Sequence, residues 1–447
     1  MLIMKFGGTS VTNPLSVAAI GRLVHDNFEN KPVVVVSALS GVTDLLVKLS
    51  ESHDHNQQQQ LIEQIRDKHI IWVGNIFSQN SPCSQNNLAQ IDFYLDELED
   101  MLQAHDFATP LARHDSIVAF GEKMSSHLIS QYLNSNGINA ERVLATRCII
   151  TNENFGGADF ISDLTIAHSQ KTILPLLENS IVPVVTGFIG ATAKGEITVL
   201  GRGGSDYSAA IIGYAINAKE IQIWTDVDGV FSADPRKIKT AHLIPQLSYQ
   251  EAAELAMFGA KVLHPRTIQP AVKAGIPVRV LNTFNPENQG TLINHNVDEC
   301  SHVKAITWRN DVPLINISSP DMFLSKGFLQ RVFSILSENG ISANMLSASE
   351  VSVSITLDNT DNLENALMEL NRFALAEYFD GMGTISLVGA KIMETHSLMQ
   401  DMFNLLEGNK VKVAMLSYST SNINLSMVIP SAQIEKIVPL LHDKFII

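Results

Sequence analysis

The chain has 447 residues, 45% of them hydrophobic and 17% charged, enough for two to four domains and too apolar for global disorder. With 31 Lys and Arg against 46 Asp and Glu the formal charge is −15, which argues against a nucleic-acid partner or an anionic membrane surface. No stretch approaches the roughly 20 apolar residues of a membrane span, and Cys83, Cys148 and Cys300 form neither a CxxC pair nor an even disulfide set, as expected in a reducing cytoplasmic setting.

Leu2–Phe6 reads as a strand that runs into the loop Gly7-Gly8-Thr9-Ser10. One Lys and two Gly interrupt what would be the apolar core of a secretory signal. A helical pattern follows, with Ile20, Leu23, Val24 and Phe28 on one face. Pro32–Val36 is a short, wholly apolar run, the pattern of a parallel strand buried on both faces, and 182–189 and 221–225 resemble it. Strands alternating with helices over 1–290 predict an α/β domain with a mainly parallel central sheet between helices. Within it, 52–106 is polar, Gln-rich at 57–60 and then apolar at helical spacing, so it is predicted as a helical insertion.

The tail changes character and carries an internal repeat at an offset of 70 residues. Gln330, Phe333 and Leu336 match Gln400, Phe403 and Leu406. Met345-Leu346-Ser347 matches Met415-Leu416-Ser417, and Ser349 matches Ser419. Val353, Ile355 and Leu357 match Ile423, Leu425 and Met427. Alternation along 351–357 predicts a half-buried antiparallel strand. Leu363, Ala366, Leu367 and Leu370 then predict a helix, and 384–388 a further strand. Two α+β units of βαββαβ type are expected, one over 311–385 and one made of 302–309 plus 386–447.

The densest cluster of unusual residues is Gly201-Arg202-Gly203-Gly204-Ser205-Asp206, followed by a helix with Ala209, Ile212 and Ile216 on one face. Glycines admit an anion to backbone N–H groups at a helix N-terminus, and Ser205 is a candidate cap. Arg202 can clamp a carboxylate or phosphate with two bonds. Lys5 stands just before Gly7 and Gly8 at a strand end, where a phosphate contact is expected. No GxxxxGK[ST] is present, so this is not a P-loop. Ser37 to Asp44 forms a third such loop, and Glu122 lies in Gly121-Glu122-Lys123 before a helical stretch. Asp228 and Asp234 precede Gly and Pro and read first as turn formers. Lys261 and His264 lie in FGAKVLHP; His264 has no metal-ligand spacing around it, and no metal site is expected.

In order along the chain, KFGGTS, VSALSGVTDLL, the Glu122 segment, GFIGATAKGEITVLGRGGSDYSAA, WTDVDGVFSADPR and EAAELAMFGAKVLHP resemble the aspartate kinases of the amino-acid kinase superfamily. The resemblance runs from residue 1 to 447, and the tail with Ser349-Glu350-Val351-Ser352 is most similar to the lysine-sensitive monofunctional branch, which carries tandem ACT units. It implies an amino-acid kinase fold followed by two ACT units. It also implies phosphorylation of the β-carboxylate of L-aspartate by ATP with Mg²⁺, the first step towards lysine, threonine and methionine, in a homodimer or a dimer of dimers.

Carried over by motif, Lys5 and Lys261 would stabilise the transferring phosphoryl group and Asp206 would orient them. Arg202 would clamp the substrate α-carboxylate. Glu122 would pair with its ammonium, helped by Ser37, Thr43 and Ser205. Gly7, Gly8, Thr225, Asp226, Phe231, Arg236 and Lys261 would hold the nucleotide; Phe231 replaces a tyrosine of some relatives. An amino-acid effector, L-lysine by the resemblance, would meet Met322, Ser325, Phe328, Leu329, Ser342, Ala343, Asn344, Ser349 and Glu350. Asn344 stands where lysine-sensitive relatives carry aspartate, and Ala348 where they carry threonine; both remove polar grip on an ammonium. The chemistry agrees with these roles. A carboxylate nucleophile with a free pKa near 3.9 is ionised at neutral pH and needs no base, so charge neutralisation is the task. Another carboxylate kinase of the superfamily, or a non-catalytic amino-acid sensor, is the alternative.

Overall fold

Every apolar run named above becomes a strand or the start of one in the computed structural model, which describes residues 1–78, 81–104, 107–257, 265–295, 302–323, 326–418 and 420–446. The chain divides into two compact units. The first is Met1–Val230, Pro245–Tyr249 and Val262–Val297; the second is Phe231–Ile244, Gln250–Lys261 and Asp298–Ile447.

The first unit contains β1 (Leu2–Phe6), β2 (Pro32–Val36), β3 (Ala140–Val143), β4 (Ile150–Thr151), β5 (Val182–Thr186), β6 (Ile189–Thr192), β7 (Ile197–Val199), β8 (Glu220–Thr225), β9 (Gln246–Ser248), β10 (Val278–Asn282) and β11 (Thr291–Asn294). Eight of these form one sheet in the order β3-β5-β2-β1-β8-β10-β11-β9. All its described pairings are parallel except β10 with β11. β1 and β2 are buried at every position, as wholly apolar parallel strands must be when helices cover both faces. Met4, Phe6, Val34 and Val36 pack on the side of Ile20, Val24, Leu46 and Leu49. Strand alternation sends Lys5 to the opposite face.

The predicted 182–189 strand is two strands in two sheets. β5 ends at Thr186, and β6 joins β4 and β7 in a separate three-stranded sheet. The break is steric. A Cβ on Gly187 would lie 2.7 Å from Ser205 and 2.9 Å from the Val36 carbonyl oxygen. Phe188 then turns the chain with φ +68°, a left-handed conformation costly for a side chain with a Cβ. The predicted face Ile20, Leu23, Val24 and Phe28 is also shorter than expected. Its helix is Pro14–Asp26, capped by the Asn13 side chain, and Phe28 falls in a 3₁₀ turn beyond it. The polar 52–106 stretch contains helices His55–Ile76 and Pro82–Gln103, capped by Asp54 and Ser81. They bury Leu61, Ile65, Trp72, Ile91, Tyr94 and Leu98, while Gln57, Gln59 and Gln60 stay exposed.

The second unit contains β12 (Ala305–Arg309), β13 (Leu314–Ser318), β14 (Ala343–Ala348), β15 (Ser352–Leu357), β16 (Leu375–Phe379), β17 (Met382–Val388), β18 (Met415–Tyr418) and β19 (Asn424–Pro430). They form two four-stranded sheets, β14-β15-β13-β16 and β12-β17-β19-β18. The repeat is visible in helix bounds, Phe328–Glu338 against Leu398–Gly408. Val353, Ile355 and Leu357 are fully buried, as are Leu425 and Met427 at matching places. The strand expected at 384–388 is present as β17, but it opens the second sheet rather than closing the first, whose outer strand is β16. β12 lies before the whole repeat in sequence and completes the second sheet by pairing antiparallel with β17.

Candidate active site at the carboxyl ends of the parallel strands

β1 sits where the sheet order reverses: the chain goes to β2 on one side and to β8 on the other. In open α/β sheets such a switch point leaves a crevice beyond the carboxyl ends of the strands. Lys5 is the penultimate residue of β1, is 8% exposed, and pairs through Nζ with Asp206 Oδ1 at 2.6 Å. Asp206 stands in the first turn of helix Gly204–Ala215. The Gly7 N–H bonds to the Trp224 carbonyl at the end of β8 (3.1 Å), and a Cβ on Gly7 would stand 3.6 Å from Lys5 Nζ. A Cβ on Gly8 would lie 3.0 Å from the Ala38 carbonyl oxygen. Gly7 therefore lets backbone approach the lysine, and Gly8 lets it approach the chain beyond β2. The chain turns into helix at Gly8–Thr12, so the expected loop is shorter than 7–10.

The Gly-rich turn differs from its expected cap. Gly203, not Ser205, is the N-cap of helix Gly204–Ala215; it has φ +71° and no side chain bonds the first-turn amides. Left-handed backbone at that position selects glycine. Ser205 lies inside the first turn, 9% exposed, against Gly187. A Cβ on Gly204 would lie 2.5 Å from the Phe188 ring, so turn and strand end interlock. Arg202 is exposed and has no ion pair or hydrogen bond among the described residues. Its guanidinium is available. Gly187→Ala is expected to push Ser205 aside and weaken ligand binding in this crevice several-fold, with the fold retained by circular dichroism; unchanged binding would show the contact to be slack.

Glu122 is in the first turn of helix Phe120–Ser135 and is 3% exposed. Its Oε1 accepts the Ala38 N–H at 3.2 Å, and its Oε2 is buried without a hydrogen-bond partner among the described residues. Burial pushes its pKa up to about 8, against the opposing pull of the Ala38 N–H and the Lys5 charge. A buried carboxyl with one unsatisfied oxygen is prepared for a donor that arrives with a ligand. Gly121 permits this placement, since a Cβ there would lie 2.8 Å from Ala38 Cβ. Ser37 is anchored at both backbone ends, by its N–H to the Phe6 carbonyl and by its carbonyl to the Ser125 hydroxyl. Thr43 lies in the first turn of helix Val42–Glu51, behind Gly41 at φ +76°. Lys5, Gly7, Gly8, Ser37, Glu122, Ser205 and Asp206 thus surround the ends of β1, β2 and β5.

Thr225 ends β8 and its hydroxyl donates to Asp226 Oδ1 at 3.2 Å. Phe231 belongs to the second unit, half-buried and bridged to Leu243. Arg236 is exposed, and its guanidinium is already held by two bonds to Asp234 (3.0 and 2.9 Å), which also accepts the Arg236 N–H. Asp234 is the turn former expected of it, and Asp228 is engaged by the Asn282 and Asn285 amides. Lys261 and His264 lie outside the described residues. Phe188 escaped the sequence reading; its one signal, a glycine on its N-terminal side, is common.

Residues 1–282 match the amino acid kinase family and residues 385–445 the ACT domain. The chain is 34% identical to the lysine-sensitive aspartokinase 3 of Escherichia coli, over 99% of this chain and 98% of that protein. It is likewise 34% identical to the chloroplastic aspartokinase 1 of Arabidopsis thaliana, over 99% of this chain and 80% of the relative. This chain belongs to the aspartokinase family. The aspartokinase fold extends along the whole chain. E. coli aspartokinase III in complex with aspartate and ADP, in the R-state, matches with a TM-score of 0.85 at 32% identity over 99% of both chains. The same enzyme in complex with lysine and aspartate, in the T-state, matches with a TM-score of 0.84. This aspartokinase is therefore a kinase with a nucleotide-using catalytic domain and an ACT module, and no helix among its described residues is long and apolar enough to cross a membrane.

Among the described residues, those expected at the aspartokinase effector site do not gather in one place within one chain. Ser325 lies outside the described residues. Phe328 is 8% exposed and packs in the core of the first ACT unit, edge-on to Phe373 at 5.5 Å, so its ring is not a free lining group. Met322 and Leu329 are half-buried beside it. Ser342, Ala343 and Asn344 start β14, whereas Ser349 and Glu350 occupy the turn after it. At 3.2–3.4 Å per residue, the run from Asn344 to Ser349 separates these groups by about 16 Å. Asn344 Nδ2 is buried without a partner among the described residues, and Glu350 is exposed.

Proposed function

We propose that this aspartokinase transfers the γ-phosphoryl group of ATP to the β-carboxylate of L-aspartate, giving 4-phospho-L-aspartate. The observation that carries the reading is the Lys5–Asp206 pair, mostly removed from solvent, beside Gly7, Gly8 and Glu122 at the carboxyl ends of β1 and β2. The substrate carboxylate attacks as an ion, and the leaving group is ADP. An anion must approach a polyanion, so preorganised positive charge is what the reaction needs. Lys5 supplies it, held in direction by Asp206 and admitted to the phosphates by Gly7 and Gly8. Arg202 clamps the α-carboxylate with two bonds, and Glu122 Oε2 accepts the α-ammonium, with Ser37, Thr43 and Ser205 around the substrate. Thr225 and Asp226 meet the nucleotide at the end of β8. Mg²⁺ would supply further neutralisation of phosphate charge, and Asp206 is the carboxylate at hand that would help to hold it.

The effector reading is L-lysine acting on the ACT units. Because the expected residues stand at two ends of β14, one lysine would be held between two chains, Ser349 and Glu350 coming from one copy and Ser342 to Asn344 from the other. A homodimer is then part of the site. Asn344 offers an acceptor without charge, so lysine would bind more weakly than at a carboxylate. The test is aspartate-dependent ADP formation with MgATP, the acyl phosphate trapped as a hydroxamate, titrated with lysine, threonine and methionine. Turnover inhibited by millimolar lysine supports both halves. Turnover insensitive to lysine but inhibited by another amino acid reassigns the effector. Turnover with glutamate or acetylglutamate in place of aspartate would overturn the substrate, and ATP binding without any turnover would favour the sensor reading.

A further inference from the structure

We propose that Asp115, which belongs to none of the motifs above, is a positioning residue that sets the direction of Arg202. Asp115 lies in helix Pro110–Val118 and is fully buried. Its Oδ2 accepts the N–H of Gly156 at 2.9 Å and the N–H of Val199 at 2.9 Å. Its Oδ1 accepts the Gly156 N–H at 3.2 Å and meets His114 Nδ1 at 3.2 Å. The two amides belong to segments that carry the Gly-rich turn. Val199 ends β7, three residues before Arg202. Gly156, at φ +86°, begins a turn whose Ala158 N–H bonds back to the Val199 carbonyl at 2.9 Å. One carboxylate therefore ties both strands of that junction.

The turn at 156–158 is the floor under Gly201. Gly201 has φ +77°, and a Cβ on it would lie 3.4 Å from Gly157 Cα and 3.6 Å from the Gly156 carbonyl oxygen. Arg266 fixes the far side of the same turn, donating from Nη2 to the carbonyls of Gly157 and Ala158 at 3.3 Å and to Asp159 Oδ1 at 2.6 Å. On the near side the Leu200 N–H is held by the Phe188 carbonyl at 2.8 Å. Arg202, with no partner among the described residues, takes its direction from this backbone. A buried carboxylate, here bonded to two backbone amides and the His114 ring, is costly unless it holds something in place. What Asp115 holds is the junction from which the guanidinium projects.

The inference rests on Arg202 as the substrate clamp, and the experiment separates the two. In the full chain, Asp115→Asn keeps shape but loses the charge of the acceptor. Its KM for aspartate should rise about five- to tenfold, with kcat and the KM for MgATP within about twofold. In Arg202→Lys, already weak for aspartate, adding Asp115→Asn should change the KM little, because the two act as one unit. Additive effects, or equal loss in both KM values and kcat, would reduce Asp115 to a structural brace and overturn the inference. An Arg202→Lys enzyme with an unchanged KM for aspartate would instead sink the clamp. If Asp115→Asn fails to fold, Asp115→Glu, which keeps charge but not reach, takes its place under the same criteria.

Discussion

Lys5→Ala is expected to lower kcat by on the order of 10²-fold or more, with the KM for aspartate changed only a few-fold. The lysine is 8% exposed, so water replaces its charge poorly, and Asp206 at 2.6 Å fixes where that charge stands before substrate arrives. Removing it leaves the phosphoryl group without a fixed cation at the end of β1. Lys5→Arg should recover little, because a planar guanidinium fork does not reproduce the compact ammonium that Asp206 fixes at 2.6 Å. Hydroxamate formation under saturating MgATP measures it. A near-normal kcat would remove Lys5 from the mechanism.

Glu122→Gln should act mainly on the KM for aspartate, raising it by about 10²-fold at pH 8, and should change how that KM depends on pH. In the free enzyme burial pushes the Glu122 pKa up to about 8, so at pH 7 most of it carries a proton. An ammonium needs the carboxylate, so binding expels that proton. The wild-type KM should therefore fall about tenfold per pH unit up to about 8 and level off above it, whereas the Gln variant should show no such slope. Stability moves the other way. A carboxyl with its folded pKa raised from 4.5 to about 8 binds more protons folded than unfolded between those values. Its contribution is full below 4.5 and is lost as pH rises through 8. Without ligand, Glu122→Gln should gain thermal stability over wild type progressively from pH 6 to 9. A constant difference in Tm across that range would argue against the buried-acid account.

The parallel sheet was legible because strands buried on both faces can only be apolar, and β1 and β2 have the predicted bounds. The ACT repeat was legible because an offset in sequence reappears as an offset in helix bounds. Other features were not. The end of β5 is set by Val36 and Ser205 pressing on Gly187, contacts across 151 and 18 positions of chain that no local window contains. The cap at Gly203 was missed because a serine next to it satisfies the same composition rule; only the left-handed backbone decides between them. Glu122 was visible as a charge before a helix, but its unsatisfied oxygen and raised pKa arise from neighbours such as Ala38, brought from another strand end. Asp115 has no sequence signature, since the partners that tie it to the Gly-rich turn are backbone amides of Gly156 and Val199.

The strand that completes the second ACT sheet has a consequence for synthesis. β12 leaves the ribosome before the first ACT unit, yet its partner β17 begins at Met382. Ala305 and Ile306 are fully buried in the finished protein, so for the time needed to translate some 75 residues this apolar segment has no sheet to join. The first ACT unit, complete at Phe379 with its own four strands, matures first, as a loop inserted between the two halves of its sibling. A chain stopped after residue 380 should thus release a folded first unit carrying a bare, sticky strand at its leading end, and aggregate.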